Sequence, residues 1–159
     1  MYLSLVKYFW RDEQEKPDEL QKLVTLFTSK GNKIFEDMQD YKLNSLKFEV
    51  GYWRKANQIH KWFVENVQHN DDDCGDYDVD LEKLKELLNI VKKILKTKDK
   101  KEKNKLAKEL LPTEEGSSFG GLSYDIYYFQ QLKDTKEIIE KLLKVKNLKD
   151  YNIEYRSSW

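Results

Sequence analysis

The sequence contains a single cysteine, Cys74, so the chain can form no internal disulfide and no metal site built from several cysteines. That usage fits a reducing compartment. Histidine is almost as sparse: His60 and His69 are the only two, and neither belongs to a His-Glu-x-x-His arrangement, which argues against a catalytic metal. Glycine occurs neither in the Gly-x-Gly-x-x-Gly spacing of dinucleotide sites nor in the Gly-Lys-Ser/Thr of nucleoside-triphosphate loops. No cofactor is therefore expected. An excess of charge is also missing. Lys+Arg and Asp+Glu both total 29, so no global field draws nucleic acid or an anionic membrane to the surface. No run of about 18 apolar residues occurs. Met1 to Trp10 lacks the basic start, apolar centre and small-residue cleavage site of a signal peptide. The expectation is a cytoplasmic protein without membrane association.

What is present is a charged surface around aromatic material. At 159 residues, 36% charged and 13% aromatic, the chain has enough to bury for one core and is too aromatic for a disordered chain, so a single domain over residues 1–159 is expected. Tyr2 to Trp10 is rich in β-favouring residues and reads as a strand. Pro17 suits the first turn of a helix, and Leu20, Leu23, Val24 and Phe27 follow at helical intervals up to about Gly31. Asn32 to Ser45 admits a short helix or an ordered excursion. Phe48, Val50 and Tyr52 alternate with polar neighbours in a strand over Leu46–Trp53. From Lys55 onward Ala56, Ile59, Phe63 and Val67 recur at helical spacing. Leu81, Leu84, Leu88, Val91 and Leu95 form the clearest helical stripe, with Asp80 as its N-cap, expected to pack on the sheet or the first helix. Leu110 to Asp125 reads as a loop, with Ser123 as candidate cap of a last helix that buries Tyr128, Leu132, Thr135, Ile139 and Leu142. Tyr151, Ile153 and Tyr155 alternate as a terminal strand. The fold expected is α+β, a small antiparallel sheet of N-terminal, middle and C-terminal strands covered by about four helices. The alternative is an all-α bundle.

Several stretches invite a chemical reading. The acidic loop His69–Asp78 has the oxygen ligands that hard cations use, but counted from Asp71 its glycine falls fifth rather than sixth, and counted from Asn70 the twelfth position is Leu81 rather than Glu. A solvated turn before the next helix is the plainer reading, and the acidic surroundings of Cys74 disfavour a thiolate nucleophile. Lys96 to Lys108 carries seven lysines, preceded by Lys92 and Lys93, without interleaved aromatics or arginines. That composition points to a solvated helix end and loop rather than a nucleic-acid face. Gly116 to Ser123, including Gly120 and Gly121, precedes a helix and could offer backbone N–H groups to an anion, although a plain connection uses glycine in the same way.

The densest mixture of aromatic, cationic and hydrogen-bonding residues is Glu49–Val64, where a strand runs into a helix. Trp53, Arg54, Asn57 and His60 would cluster at that junction, Asn57 and His60 one turn apart. With Gly120, Gly121, Ser123, Tyr124 and Tyr127 they form the candidate ligand- or partner-binding set. Aromatic planes beside Arg54, Lys55 and Asn57 supply the stacking and charge-assisted hydrogen bonds that hold a base and a phosphate. The competing reading makes most of these aromatics core. His60 could exchange a proton near neutral pH, but no nucleophile is recognisable beside it, and no catalytic residue is assigned.

Glu-Val-Gly-Tyr-Trp-Arg-Lys-Ala-Asn-Gln-Ile-His-Lys-Trp-Phe-Val at 49–64, Leu-Leu-Pro-Thr at 110–113, Phe-Gly-Gly-Leu-Ser-Tyr-Asp at 119–125 and the final Tyr-Arg-Ser-Ser-Trp resemble a family of small uncharacterised proteins encoded by bacteriophages and prophages. The resemblance covers the chain from about Glu49 to Trp159 and implies a phage-borne origin in a host bacterial cytoplasm. It implies no particular activity. The reading that follows is an accessory protein that binds and neutralises a host antiviral defence component, either a protein effector such as a CRISPR-type nuclease or a small nucleotide signal. The alternatives are a small enzyme acting on a nucleotide or modified base, and a phage structural or assembly module, the latter disfavoured because no heptads are evident.

Overall fold

Aromatic and β-branched side chains in Tyr2–Tyr8 favour extended backbone, and these residues form strand β1 with Leu3, Ser4, Leu5 and Val6 all buried. Four successive buried positions mark an interior strand, not one with a solvated face. The structure is a computed structural model that describes residues 1–9, 22, 44–115 and 120–158. The remaining described elements are β2 (Ser45–Tyr52), α1 (Asn57–Asn66), β3 (Asp76–Asp78), α2 (Leu81–Lys96), α3 (Lys100–Leu110), α4 (Ile126–Leu142) and β4 (Asn152–Arg156). The strands form one antiparallel sheet in the order β2-β1-β4-β3, so the fold is α+β and not an all-α bundle. Two compact units are distinguished, Met1–Leu5 with Phe48–Trp159, and Val6–Lys47. In the second, the Phe9 N–H donates to the Asn44 carbonyl at 2.9 Å. Of the helix expected from Pro17 to Gly31 only Lys22 is described, and it is helical. The undecided stretch, up to residue 43, lies outside the described residues.

In the larger unit α2 packs on α4 and, less extensively, on α3. Apart from Lys22, the first helix on which this one was expected to pack lies outside the described residues. Leu84, Leu87, Leu88, Val91 and Ile94 are its buried stripe, each contributing roughly 1.5–3 kcal/mol by leaving water. Across from it α4 buries Tyr128, Leu132, Thr135, Ile139 and Leu142, the face its spacing predicts. β2 comes close to α4 because residue 51 is glycine. A Cβ there would stand 2.5 Å from Ile138 Cγ2 and 3.3 Å from Leu3 Cβ. An aromatic stack continues the core, with the rings of Phe63 and Tyr155 3.9 Å apart and 8° from parallel.

Four local expectations are corrected. The end of the acidic loop is a strand: Asp76–Asp78 pairs with β4, Tyr77 opposite Tyr155, because β4 offers backbone groups for pairing that no local pattern announces. Lys100–Leu110 is helix rather than loop, started by Asp99, whose carboxylate accepts from the Glu102 N–H at 2.9 Å. Asp80 stands at the N-cap of α2 but its side chain makes no capping bond. Ser123 does not cap α4. Asp125 does, accepting from the N–H groups of Tyr127 and Tyr128 at 2.9 and 3.2 Å, so the helix begins two residues later than Ser123 would start it and Tyr124 precedes it.

Candidate functional site

The chain leaves β2 through Trp53, turns at Lys55 with a left-handed φ of 60°, and enters α1. Gly120 lies against this turn with φ 99°, and a Cβ on it would meet the Lys55 carbonyl oxygen at 2.5 Å. Only glycine permits both the dihedral and the approach. Asn57 Nδ2 donates to the Gly121 carbonyl at 3.1 Å, and Gln131 Nε2 donates to the Lys55 carbonyl at 3.0 Å. Gln58 Nε2 in turn donates to Gln131 Oε1 at 2.9 Å. These bonds hold the strand–helix junction, the loop before α4 and α4 itself around an open pocket of about 500 Å³.

Arg54 and Lys55 contribute the pocket's cations, Gln58 and Gln131 its amides, and Gly120, Gly121 and Ser123 one wall. Tyr127 and Tyr128 complete it. Asp125 also lines the pocket, but its carboxylate caps α4. Among the described residues neither Arg54 nor Lys55 forms an ion pair, so both charges remain available to an incoming group. Tyr127, which lines the pocket, is 75% exposed, and Leu122 and Ile126 of the same segment are 46% and 78% exposed.

The structure thus brings together Arg54, Gly120, Gly121, Ser123 and Tyr127, with Asn57 pinning the loop from behind. It places the other three candidates elsewhere. Trp53 is buried, donating from Nε1 to Thr135 Oγ1 at 2.9 Å. Tyr124 is half-buried against the Tyr128 ring at 4.9 Å, with the Lys108 ammonium 5.7 Å from its ring centre and its hydroxyl accepting from the Thr113 N–H. His60 is 2% exposed and points the other way, into a chain of polar groups.

In that chain His60 Nε2 lies 2.9 Å from Asp72 Oδ2 and Nδ1 lies 2.8 Å from the Tyr155 hydroxyl. Ser157 Oγ donates to Asp72 Oδ1 at 3.3 Å. An ionised carboxylate only accepts, so a neutral imidazole carries its proton on Nε2 and accepts from Tyr155 at Nδ1. Burial, together with the nearby Asp72 charge, pushes the Tyr155 hydroxyl well above the ordinary tyrosine range and keeps it a donor. Tyr155 is fully buried, so Asp72, His60 and Tyr155 resemble a catalytic relay in order but offer no hydroxyl to a substrate. The arrangement ties the acidic loop, α1 and β4 to one another.

Sequence reasoning missed Asp72, Gln58, Gln131, Tyr155 and Ser157. Gln131 had a legible signal, since it lies one helical turn after Tyr127 and so shares its face. Asp72 had none, being one of three consecutive aspartates of which the fold selects one. Among the described residues no group of three or more His, Cys, Asp or Glu is placed to hold a metal ion. No described helix is long and apolar enough to cross a membrane. The fold and pocket define a small α+β protein with a cationic, aromatic-rimmed recess. No protein-family model, curated protein or solved structure matches the chain.

Proposed function

We propose that this protein acts by binding, as a phage-borne accessory protein that captures a host defence protein through the pocket at Arg54 and its rim. The observation that carries a protein partner is the exposed Tyr127 lining the same pocket as Arg54, which has no ion-pair partner among the described residues, with Leu122 and Ile126 exposed on the same segment as Tyr127. Tyrosine and arginine are the side chains that most often dominate interface energetics, and adjoining apolar groups exclude water around them. The enclosure of His60 supports binding over chemistry, because the imidazole nearest the junction faces Tyr155 and Asp72 and not the pocket. The phage origin rests on the resemblance of the motifs at 49–64, 110–113 and 119–125 and of the final Tyr-Arg-Ser-Ser-Trp, and the defence target on that origin together with the small size and the lack of a recognisable catalytic set. A small nucleotide is the second reading, favoured by the two cations beside the Tyr127 ring in a recess whose volume lies within the range of small-molecule sites.

Native mass spectrometry of protein purified from a defence-carrying host lysate tests both readings, since a retained protein and a retained nucleotide differ in mass. Arg54→Ala and Tyr127→Ala should keep the melting temperature of the parent while weakening capture by more than about tenfold each, or about 1.4 kcal/mol. Undiminished capture by the double variant would remove this surface from consideration.

A further inference from the structure

On the side of the larger unit built by α2, α3 and α4, lysines far apart in sequence converge. Lys92 and Lys96 of α2, Lys103 of α3, and Lys133 and Lys136 of α4 line one groove of about 610 Å³, with Leu95 in its wall and Glu137 as the single carboxylate among its described lining residues. Lys96 is exposed and Lys103 half-buried, so the lysine-rich stretch is solvated as expected and still contributes to this groove. Two of its members turn toward this groove and are joined there by three lysines from outside it. In a chain with equal numbers of acidic and basic residues, such a concentration of one sign is local and is set by the packing of the three helices.

Internal pairing leaves much of this charge uncompensated. Glu140 lies beside the groove and takes up Lys92 at 2.8 Å and Lys136 at 3.6 Å, tying α2 to α4. Those ion pairs, the Lys92 hydrogen bond first, hold the Glu140 carboxyl below its usual range. Lys103 has its ammonium 4.8 Å above the Phe129 ring, which positions the cation without neutralising it. Lys96, Lys103 and Lys133 have no carboxylate partner among the described residues. A concave surface lined by one sign, against low-dielectric walls, focuses its field and concentrates counter-ions. Lysine ammoniums are point charges suited to phosphate oxygens. The volume is that of a small-molecule site.

We infer that this groove is a second binding site, separate from the Arg54 pocket, for the phosphate chain of a small polyphosphorylated molecule, with Lys96, Lys103 and Lys133 as the contacting cations. A free inorganic polyphosphate and a nucleoside polyphosphate share that chemistry. An extended nucleic acid is disfavoured because the lysines close around one groove instead of forming a stripe with stacking aromatics.

Calorimetric titration in about 0.15 M salt with sodium tripolyphosphate, adenosine triphosphate, sodium sulfate and a single-stranded DNA oligonucleotide tests the proposal. Tripolyphosphate should bind and raise the melting temperature, whereas sulfate should bind at least about tenfold more weakly. Lys96→Gln with Lys133→Gln should weaken tripolyphosphate by about tenfold or more. Lys98→Gln with Lys101→Gln, the same charge change at exposed positions that do not line the groove, should change it by less than about twofold. Arg54→Ala should leave it unchanged. Equal affinity of tripolyphosphate and adenosine triphosphate would show that the phosphate chain alone is read, and tighter nucleotide binding would show that the base or sugar also contacts the groove. The proposal is overturned if tripolyphosphate does not bind, if both lysine pairs weaken it equally, or if the oligonucleotide binds about tenfold tighter with steep salt dependence.

Discussion

Replacing Tyr155 by phenylalanine isolates one bond in the buried polar chain. The ring of Tyr155 stacks on Phe63 at 3.9 Å, and phenylalanine keeps that stack, so no cavity opens. What is lost is the hydroxyl 2.8 Å from His60 Nδ1. His60 is 2% exposed, so water does not readily replace the donor, and Nδ1 becomes a buried acceptor that has lost its hydroxyl donor. Taking a hydrogen-bond donor away from a buried acceptor costs about 1–3 kcal/mol. Reversing the tautomer offers no escape, because Nε2 would then face the Asp72 carboxylate with a lone pair. For a chain of this length the melting temperature should fall by about 2–4 °C per kcal/mol. Urea unfolding gives the free-energy change directly, with Tyr127→Phe, whose hydroxyl is on an exposed residue, as the control. A Tyr155→Phe protein within about 0.5 kcal/mol of the parent, the range of ordinary surface substitutions, would refute the assignment of Tyr155 as the donor to His60.

Gly120→Ala should impair partner capture and cost about 1–3 kcal/mol of backbone strain, because its Cβ would meet the Lys55 carbonyl oxygen at 2.5 Å and its φ is 99°. Gly121→Ala should be tolerated, a Cβ there meeting, among the described residues, only the Ser123 N at 4.0 Å; a comparison of binding and melting for the two variants decides this, and equal behaviour would contradict the packing described. Tyr128 and Tyr155 both have hydroxyls raised above the ordinary range, chiefly by burial. Their folded values exceed the unfolded one, so their contribution is present in full below about pH 10 and is lost as pH rises further, at about 2.7 kcal/mol per pH unit for two withheld protons. Absorbance of ionised tyrosine should show these two titrating only as the chain unfolds, and free titration of all ten in the folded protein would exclude it.

The sequence by itself determined the elements whose pattern is repeated over several turns. Leu84, Leu88 and Val91, and Tyr128, Leu132, Thr135, Ile139 and Leu142, are buried because a helix places residues three and four apart on one face whatever lies opposite. The strands over Tyr2–Tyr8, Ser45–Tyr52 and Asn152–Arg156 were legible from alternation and β-favouring side chains. The three residues of β3 were not, since so short a strand exists only because β4 is there to pair with it. Arg54, Gly120, Gly121, Ser123 and Tyr127 were named from chemistry, but their meeting depends on Lys55 and Gly120 adopting left-handed backbone against one another. His60 shows the limit most clearly. Its spacing from Asn57 put both on one helical face, yet Asp72, twelve residues on, and Tyr155, on the last strand, turned the imidazole inward. Side-chain direction within a face is settled by which hydrogen-bond partners the packed chain supplies, and those partners come from segments that local periodicity does not relate.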